Sequence, residues 1–170
     1  MPSPLPGFDD EIKLYPTPVI GVRAFRLQVY GTEIKLSGPL FPNFLWQPGV
    51  NTRICYSLGS KGRAPEHDLE LCSCGFYAYH HHSGVSERDR SNSMSVIGII
   101  EGSGKVMLGT KGFRANEARI SALSMSKYQR FIELDKAVHH YYPDVEFFER
   151  PADMYSRYPS SYLDLFYSNL

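Results

Sequence analysis

Three cysteines and one histidine lie close together in the sequence, as Cys55, His67, Cys72 and Cys74, and the chain contains no other cysteine. Their spacing is C-x11-H-x4-C-x-C. Thiolates and an imidazole at four positions match the tetrahedral coordination that closed structural zinc sites use. The sequence therefore predicts a structural zinc ion with these four residues as its ligands.

Other interpretations of these residues stay open. Free cysteine is among the most buried residue types, so three unreactive core thiols beside an unrelated histidine would give the same pattern. C-x-C is tighter than the C-x2-C of common zinc knuckles, so no particular zinc-finger class is assigned. His80 or His82, which belong to a run of three histidines, are alternatives to His67 as the fourth ligand.

Motifs of catalysis are missing from the sequence. It contains neither H-x-E with P-C-x-x-C, nor a Walker-type phosphate loop, nor a G-x-S-x-G nucleophile elbow. A closed set of four zinc ligands also leaves no open position for a substrate. We therefore expect a protein that is not an enzyme. A metal-dependent hydrolase, in which water replaces one ligand, is an alternative.

Charge and aromatic content bear on the kind of partner. Eighteen basic and eighteen acidic residues cancel, so no net positive charge favours binding to a phosphate backbone. Twelve tyrosines and ten phenylalanines supply the flat side chains that protein interfaces use. We expect a protein partner, with Tyr155, Tyr158, Tyr162 and Phe166 as anchors near the C-terminus and Arg114 as a further contact.

A nucleic-acid or modified-base reader is a second alternative to this function. It would use Arg114 together with Lys111 and neighbouring aromatic residues, because an arginine can grip a phosphate or stack on a base. Glu117 is near enough in the sequence to pair with Arg114 or Arg119, and such an ion pair is the purely structural interpretation.

The N-terminal sequence bears on cellular location. It lacks the basic start and apolar run of a secretory signal, and nowhere do eighteen apolar residues run together. We expect a cytoplasmic protein, where thiols stay reduced and available to zinc.

Turn signals and periodicity predict the elements that must position these residues. Residues 1–18 are rich in proline and predict an irregular arm, followed by one zinc-stabilised domain at 19–170. Residues 19–36 predict a hairpin that turns at Gly31, and residues 96–108 a second hairpin that turns at 102–104. Further strands are expected at 52–56, 71–79, 118–123 and 145–148, and a solvated loop with local disorder at 80–95.

The last third of the chain changes to a helical period. Ser126 and Gln129 form a capping box, and apolar residues recur at helical spacing until Pro143 ends the helix. Short helices are expected at 152–158 and 161–168. Strands followed by helices predict an α+β fold with a mainly antiparallel sheet or partly open barrel, a zinc-stapled loop region and C-terminal helices.

Residues from 46 to 118 also form a recognisable ordered pattern. It runs W-x-P-G from Trp46, a cysteine at Cys55, a histidine at His67, C-x-C-G-x-Y-A from Cys72, and G-[FY]-R-A-x-x-A from Gly112. Over residues 19–123 the chain resembles a family of small uncharacterised proteins of actinobacteria and their bacteriophages. The resemblance implies that the four metal residues act as one unit. It implies an origin in an actinobacterium or its phage but no particular activity. If the chain is phage-encoded, we expect the protein partner to be a host protein in the host cytoplasm.

Overall fold

The computed structural model describes residues 7–8, 11–14, 18–39, 43–55, 69, 72–125 and 132–160. These residues contain eight strands in one sheet and three α-helices. The strands are β1 (Glu11–Leu14), β2 (Val19–Tyr30), β3 (Glu33–Ser37), β4 (Val50–Thr52), β5 (Phe76–Tyr79), β6 (Ser95–Leu108), β7 (Gly112–Ser124) and β8 (Glu146–Phe148). The helices are α1 (Glu87–Ser91), α2 (Ile132–Tyr141) and α3 (Pro151–Arg157), and a 3-10 turn covers His82–Gly84.

Four strands form a closed ring at the centre of the sheet. β6 pairs antiparallel with β2 and with β7, and the short β5 pairs antiparallel with both β2 and β7 on the opposite side. β1 and β3 extend the sheet by antiparallel pairing with β6 and β2, whereas β8 pairs parallel with β7. The structure confirms the predicted α+β class with a mainly antiparallel, partly closed barrel.

Three short strands pair along one edge of β7. β6 follows one edge over most of its length, so the other partners must share the opposite edge. On that second edge β5 pairs with residues 112–115, β4 with residues 117–119 and β8 with residues 122–124. Two junctions therefore lie along this edge, one between β5 and β4 and one between β4 and β8.

The main core is built on aromatic side chains inside the ring. Trp46 has no exposed surface and packs against Phe25 and Phe76, with ring centroids 5.3 and 4.9 Å away. Trp46 is thus a buried anchor of the core. Tyr142, which follows α2, donates a 2.9 Å hydrogen bond to the carbonyl oxygen of Trp46 and accepts one of 2.9 Å from the amide of Leu36. These bonds tie α2 to the sheet.

The two predicted hairpins have different outcomes. β2 and β3 pair around Gly31 as expected, with Tyr30 opposite Glu33. The prediction of a second hairpin is wrong, because residues 95–108 form one continuous strand with a register shift between Ser103 and Val106. At Gly102 a Cβ atom would lie 2.4 Å from the ring of Phe113. Glycine at 102 thus makes room for a neighbouring aromatic ring, and the actual turn connects β6 to β7 at residues 109–111.

The remaining elements follow the sequence in part. The arm predicted to be irregular contains β1, which pairs with the second half of β6, and the loop predicted to be disordered at 80–95 holds a 3-10 turn and α1. Helix α2 ends at Tyr141, two residues before Pro143, as predicted. α3 and β8 also fall where short elements were expected. The capping box at 126–129 and the helix at 161–168 lie outside the described residues.

Among the described residues, no helix combines the length and apolar character needed to cross a bilayer.

Candidate metal centre

The three cysteines meet at the junction between β4 and β5. Cys55 lies three residues after β4, and Cys72 and Cys74 lie just before β5. Both strands run antiparallel to β7, so the end of β4 and the start of β5 approach each other along the same edge. The amide of Arg53 extends this arrangement by donating a 2.9 Å hydrogen bond to the carbonyl oxygen of Asn116.

The sulfur atoms are close enough to share one metal ion. All three Sγ atoms lie within 4.8 Å of one another, and those of Cys55 and Cys72 are 3.4 Å apart. Tetrahedral zinc with Zn–S bonds of about 2.3 Å requires sulfur atoms about 3.8 Å apart. The cysteines are free thiols, so the cluster is not explained by a disulfide. The prediction that these cysteines converge is confirmed, and together they could hold a metal ion.

Side chains hold the turn that presents Cys72 and Cys74. Nη1 of Arg114 donates hydrogen bonds to the carbonyl oxygens of both cysteines, and the hydroxyl of Tyr77 donates a 2.8 Å bond to the carbonyl oxygen of Ser73. Three consecutive carbonyl groups are thereby bound by side chains. The guanidinium carbon of Arg114 lies 5.8 Å from the ring centroid of Tyr77, so the two holding residues also contact each other.

Hydrogen bonds also reach the sulfur atoms directly. The amide of Cys74 donates a 3.3 Å bond to Sγ of Cys72, and Nη1 of the buried Arg53 donates a 3.0 Å bond to Sγ of Cys74. Burial, followed by the hydrogen bond with Cys72, raises the pKa of the Cys74 thiol to about 12, and the charge of Arg53 opposes this shift. A bound cation would convert such thiols to thiolates, because metal ligands bind in their deprotonated form.

Of the three histidines predicted as possible ligands, the structure describes His80 and His82. His67 lies outside the described residues. His80 is buried elsewhere, where Nε2 lies 2.7 Å from the carbonyl oxygen of Gly109, and burial lowers its pKa. His82 stacks on Tyr155 with ring centroids 4.5 Å apart. Within the described residues the metal-binding cluster consists of the cysteines alone, so the alternatives His80 and His82 are wrong.

The predicted role of Arg114 as a partner contact is also wrong. Its side chain is only 1% exposed and is surrounded by the cysteine turn, by Tyr77 and by Met107, whose sulfur lies 2.9 Å from Nη2. A guanidinium in this position cannot grip a phosphate or stack on a base. The nucleic-acid alternative loses its main contact residue, while Arg114 gains a role in shaping the metal centre.

The aromatic residues predicted to bind a partner are partly packed inside. Tyr155 and Tyr158 are half-buried against a second core cluster that contains Val22, Ile97 and Met154. Tyr158 donates a 2.9 Å hydrogen bond to the carboxylate of Glu146. Tyr162 and Phe166 lie outside the described residues.

A different exposed apolar group was missed in the sequence. Val29 and Tyr30, at the turn end of the β2–β3 hairpin, are 58% and 47% exposed. Met94 is 40% exposed and lies beside the same hairpin, because its carbonyl oxygen accepts a hydrogen bond from the amide of Leu27. Val29 and Tyr30 are successive residues of β2, so their side chains point to opposite faces of the hairpin. The available sequence signal was the strand pattern of β2, which continues beyond Arg26. Arg26 is the last residue of β2 that pairs with β6, so the residues after it are not covered by that strand.

Two residues that shape the metal centre were also missed. Arg53 gave the signal of a charged residue two positions before Cys55 in a strand-like segment, and Tyr77 belongs to the C-x-C-G-x-Y-A pattern without an assigned role.

Comparison with known protein families, with curated proteins and with solved structures gave no match. The interpretation of the site therefore depends on its own geometry.

Proposed function

We propose that the chain is a non-enzymatic binding protein in which a structural zinc ion, held by Cys55, Cys72, Cys74 and His67, fixes the junction between β4 and β5. The observation that supports this proposal is the convergence of three Sγ atoms within 4.8 Å. His67 is the fourth ligand because it is the histidine nearest to the cysteines in the sequence, and His80 and His82 are engaged elsewhere.

Zinc is the metal that this donor set favours. Three thiolates and one imidazole form a borderline-soft tetrahedral set, which is typical of structural zinc, whereas calcium and magnesium prefer oxygen ligands. Four protein ligands close the coordination sphere, and a closed sphere supports a structural role over a hydrolytic one.

The ion would act as a crosslink between segments that are distant in the sequence. It would join the end of β4 to the residues before β5 and so close the connection at 56–71. A crosslink of this kind restricts the unfolded chain, and the free energy of metal binding adds to the stability of the folded state. The barrel has its own core, so zinc reinforces one edge of the fold.

The metal proposal is tested by elemental analysis of the purified full chain and of single variants. We expect one zinc per chain in the wild type, and a much weaker zinc complex in Cys55→Ser, Cys72→Ser and His67→Gln. His140→Gln, at an exposed site on α2, is the matched control and should retain zinc. Loss of zinc from the control, or full retention in Cys72→Ser, would contradict the assignment.

The partner in this proposal is a protein. Two regions support it. The first is the turn end of the β2–β3 hairpin, where Val29, Tyr30 and Met94 are exposed, and the second is the aromatic C-terminal segment with Tyr155, Tyr158, Tyr162 and Phe166. Exposed Tyr and Met side chains are enriched in protein interfaces. If the chain is encoded by an actinophage, the origin that its resemblance implies, this partner is a host protein in the bacterial cytoplasm.

The partner proposal is tested by affinity capture from an actinobacterial lysate with matched baits. We expect one stoichiometric protein with the wild type, lost with Val29→Ser/Tyr30→Ser or after deletion of residues 161–170. Val50→Ser is the control, because Val50 is equally exposed but lies on β4. Binding that persists in both altered baits removes these surfaces from the proposal. Capture of nucleic acid with a steep salt dependence would favour the reader instead.

A further inference from the structure

A cleft of about 250 Å³ occupies the second junction on the edge of β7, between β4 and β8. β4 ends its pairing at Arg119 and β8 begins at Ala122, so Ile120 and Ser121 lie between them. Pro48 and Gly49, which precede β4, and Asp144 and Val145, which precede β8, line the cleft from the two sides. The position of the cleft is thus set by the lengths of two edge strands.

An ion pair forms the floor of the cleft. Ile120 pairs with Ile100 and Ala122 pairs with Ile99, so Ser121 is the extra residue of a β-bulge. Bulges re-aim side chains, and the hydroxyl of Ser121 donates a 2.6 Å hydrogen bond to Oε1 of Glu101. Nε and Nη2 of Arg119 lie 2.8 and 2.7 Å from Oε2 of the same carboxylate. The guanidinium of Arg119 is therefore fixed in orientation.

The walls of the cleft are also held in place. Asn51 is buried, and its side chain accepts a 2.8 Å hydrogen bond from the amide of Gln47 and donates to the carbonyl oxygens of Gln47 and Gly49 at 3.0 and 3.1 Å. On the other side, Tyr158 is fixed through its hydrogen bond to Glu146. These contacts make a preformed cleft, which lowers the entropic cost of binding a ligand.

Two groups of opposite charge remain available to a ligand in the cleft. The side chain of Arg119 is 56% exposed, and the hydrogen bonds described for it use Nε and Nη2 only. Asp144 is exposed and, within the described part of the chain, forms no ion pair or hydrogen bond through its carboxylate. Glu101, by contrast, is 14% exposed and already accepts bonds at both oxygens.

We propose that this cleft binds a small zwitterion of the α-amino acid class, with its carboxylate on Arg119 and its ammonium group on Asp144. Nη1 of Arg119, which the contacts with Glu101 leave unused, can donate to the ligand carboxylate, and the half-buried Val145 supplies apolar lining for an aliphatic side chain. The cleft is smaller than the roughly 300–1,000 Å³ of sites for drug-sized ligands, in keeping with a small metabolite. This site is separate from the zinc ion, whereas Tyr158 belongs both to the cleft and to the segment proposed to bind a protein partner.

Calorimetric titration of the full chain with L-valine, isobutylamine and isovalerate tests the proposal. The second and third probes lack the carboxylate and the ammonium group, respectively. We expect valine, or another member of a panel of the twenty amino acids, to bind, and each matching truncated probe to bind about tenfold more weakly or less. An amine or carboxylate that binds as tightly as its parent amino acid, or no binding by any amino acid, would overturn the proposal.

Variants on both sides of the cleft complete the test. Arg119→Gln and Asp144→Asn should each weaken amino-acid binding by about tenfold or more, because each removes a charge-assisted contact. Asp144 is exposed, so its variant keeps the fold even if Arg119→Gln disturbs the ion pair with Glu101. Glu87→Gln and Arg88→Gln on α1 are matched controls that should bind normally. Unchanged binding by Asp144→Asn would refute the assigned orientation, and unchanged zinc content in all four shows that the metal centre is intact.

Discussion

Nη1 of Arg114 donates a 2.9 Å hydrogen bond to the carbonyl oxygen of Cys74, so an arginine within β7 holds the backbone that presents a metal ligand. The same atom also donates to the carbonyl oxygen of Cys72. Arg114 thus connects the central ring of strands to the cysteine turn. A buried guanidinium is costly unless its N–H groups are bound, and here carbonyl oxygens of the turn accept from it.

Replacing Arg114 by methionine should destabilise both the fold and the metal centre. Methionine retains length and apolar bulk but donates no hydrogen bond, so the turn loses its charged donor. We expect the free energy of unfolding to fall by about 2–4 kcal/mol and zinc to bind more weakly, measured by denaturant titration and competition with a chelator. Arg88→Met, on the exposed face of α1, should change stability by less than about 0.5 kcal/mol. Equal behaviour of the two variants would contradict the assigned role.

Gly75→Ala tests how tightly the cysteine turn is packed. Gly75 has φ of +130°, and a Cβ atom there would lie 2.9 Å from Cγ of Arg114. Gly31→Ala is the matched control, since Gly31 also has positive φ, +61°, but no atom lies within 4 Å of its added Cβ. We expect Gly75→Ala to cost at least about 1 kcal/mol more in unfolding free energy than Gly31→Ala. An equal cost would mean that the turn can move away from Arg114.

The sequence was sufficient for the elements whose signals are local. Gly31 between two β-branched runs predicted the β2–β3 hairpin, and Pro143 predicted the end of α2. Gly102 led to the wrong prediction of a turn. The sequence alone does not distinguish a glycine that makes room for the ring of Phe113 within a sheet from a glycine in a turn. What distinguishes the two cases is a neighbour on another strand, and that neighbour is set by the tertiary fold.

The cysteines of the metal centre could be predicted from the sequence, whereas the arginine that holds their turn could not. Soft ligands at short spacing indicate a metal regardless of fold, which is why Cys55, Cys72 and Cys74 were identified together. Arg114 was mistaken for a surface residue because arginine is seldom buried, and only the pairing of β5 with β7 places it beneath the cysteine turn. The cleft at Glu101, Ser121 and Asp144 has no sequence signal, since its residues come from separate elements.

Tyr142→Phe tests the link between α2 and the sheet. The change removes the hydroxyl that accepts from the buried amide of Leu36 and donates to the carbonyl oxygen of Trp46. We expect a loss of about 1–3 kcal/mol in unfolding free energy, because buried polar groups lose a partner. Tyr141→Phe is the control: it removes an exposed 3.0 Å bond to Gln47 and should cost less than about 0.5 kcal/mol. A larger loss in Tyr141→Phe would reverse this order and contradict the prediction.

The buried His80 predicts a dependence of stability on acid. Burial lowers its pKa in the folded protein below the ordinary value of 6.5, whereas the unfolded chain titrates near that value. As the pH falls below about 6.5, the unfolded state therefore takes up more protons than the folded state, and the unfolding free energy decreases.

His80→Gln removes this titration and keeps a side-chain donor for the carbonyl oxygen of Gly109. We expect the wild type to lose more unfolding free energy than the variant between about pH 7 and about pH 5, followed by denaturant titration at each pH. Both proteins keep the cysteines, so loss of metal at low pH affects them equally. Identical acid profiles of wild type and His80→Gln would exclude His80 as the cause.

The central claim is that Cys55, Cys72 and Cys74 act together with His67 on one metal ion. X-ray absorption at the zinc edge, on the purified full chain, tests it most directly. The proposal predicts one zinc per chain with three sulfur neighbours at about 2.3 Å and one nitrogen neighbour at about 2.0–2.1 Å. A chain without zinc, or a zinc ion with fewer than three sulfur neighbours, would contradict it.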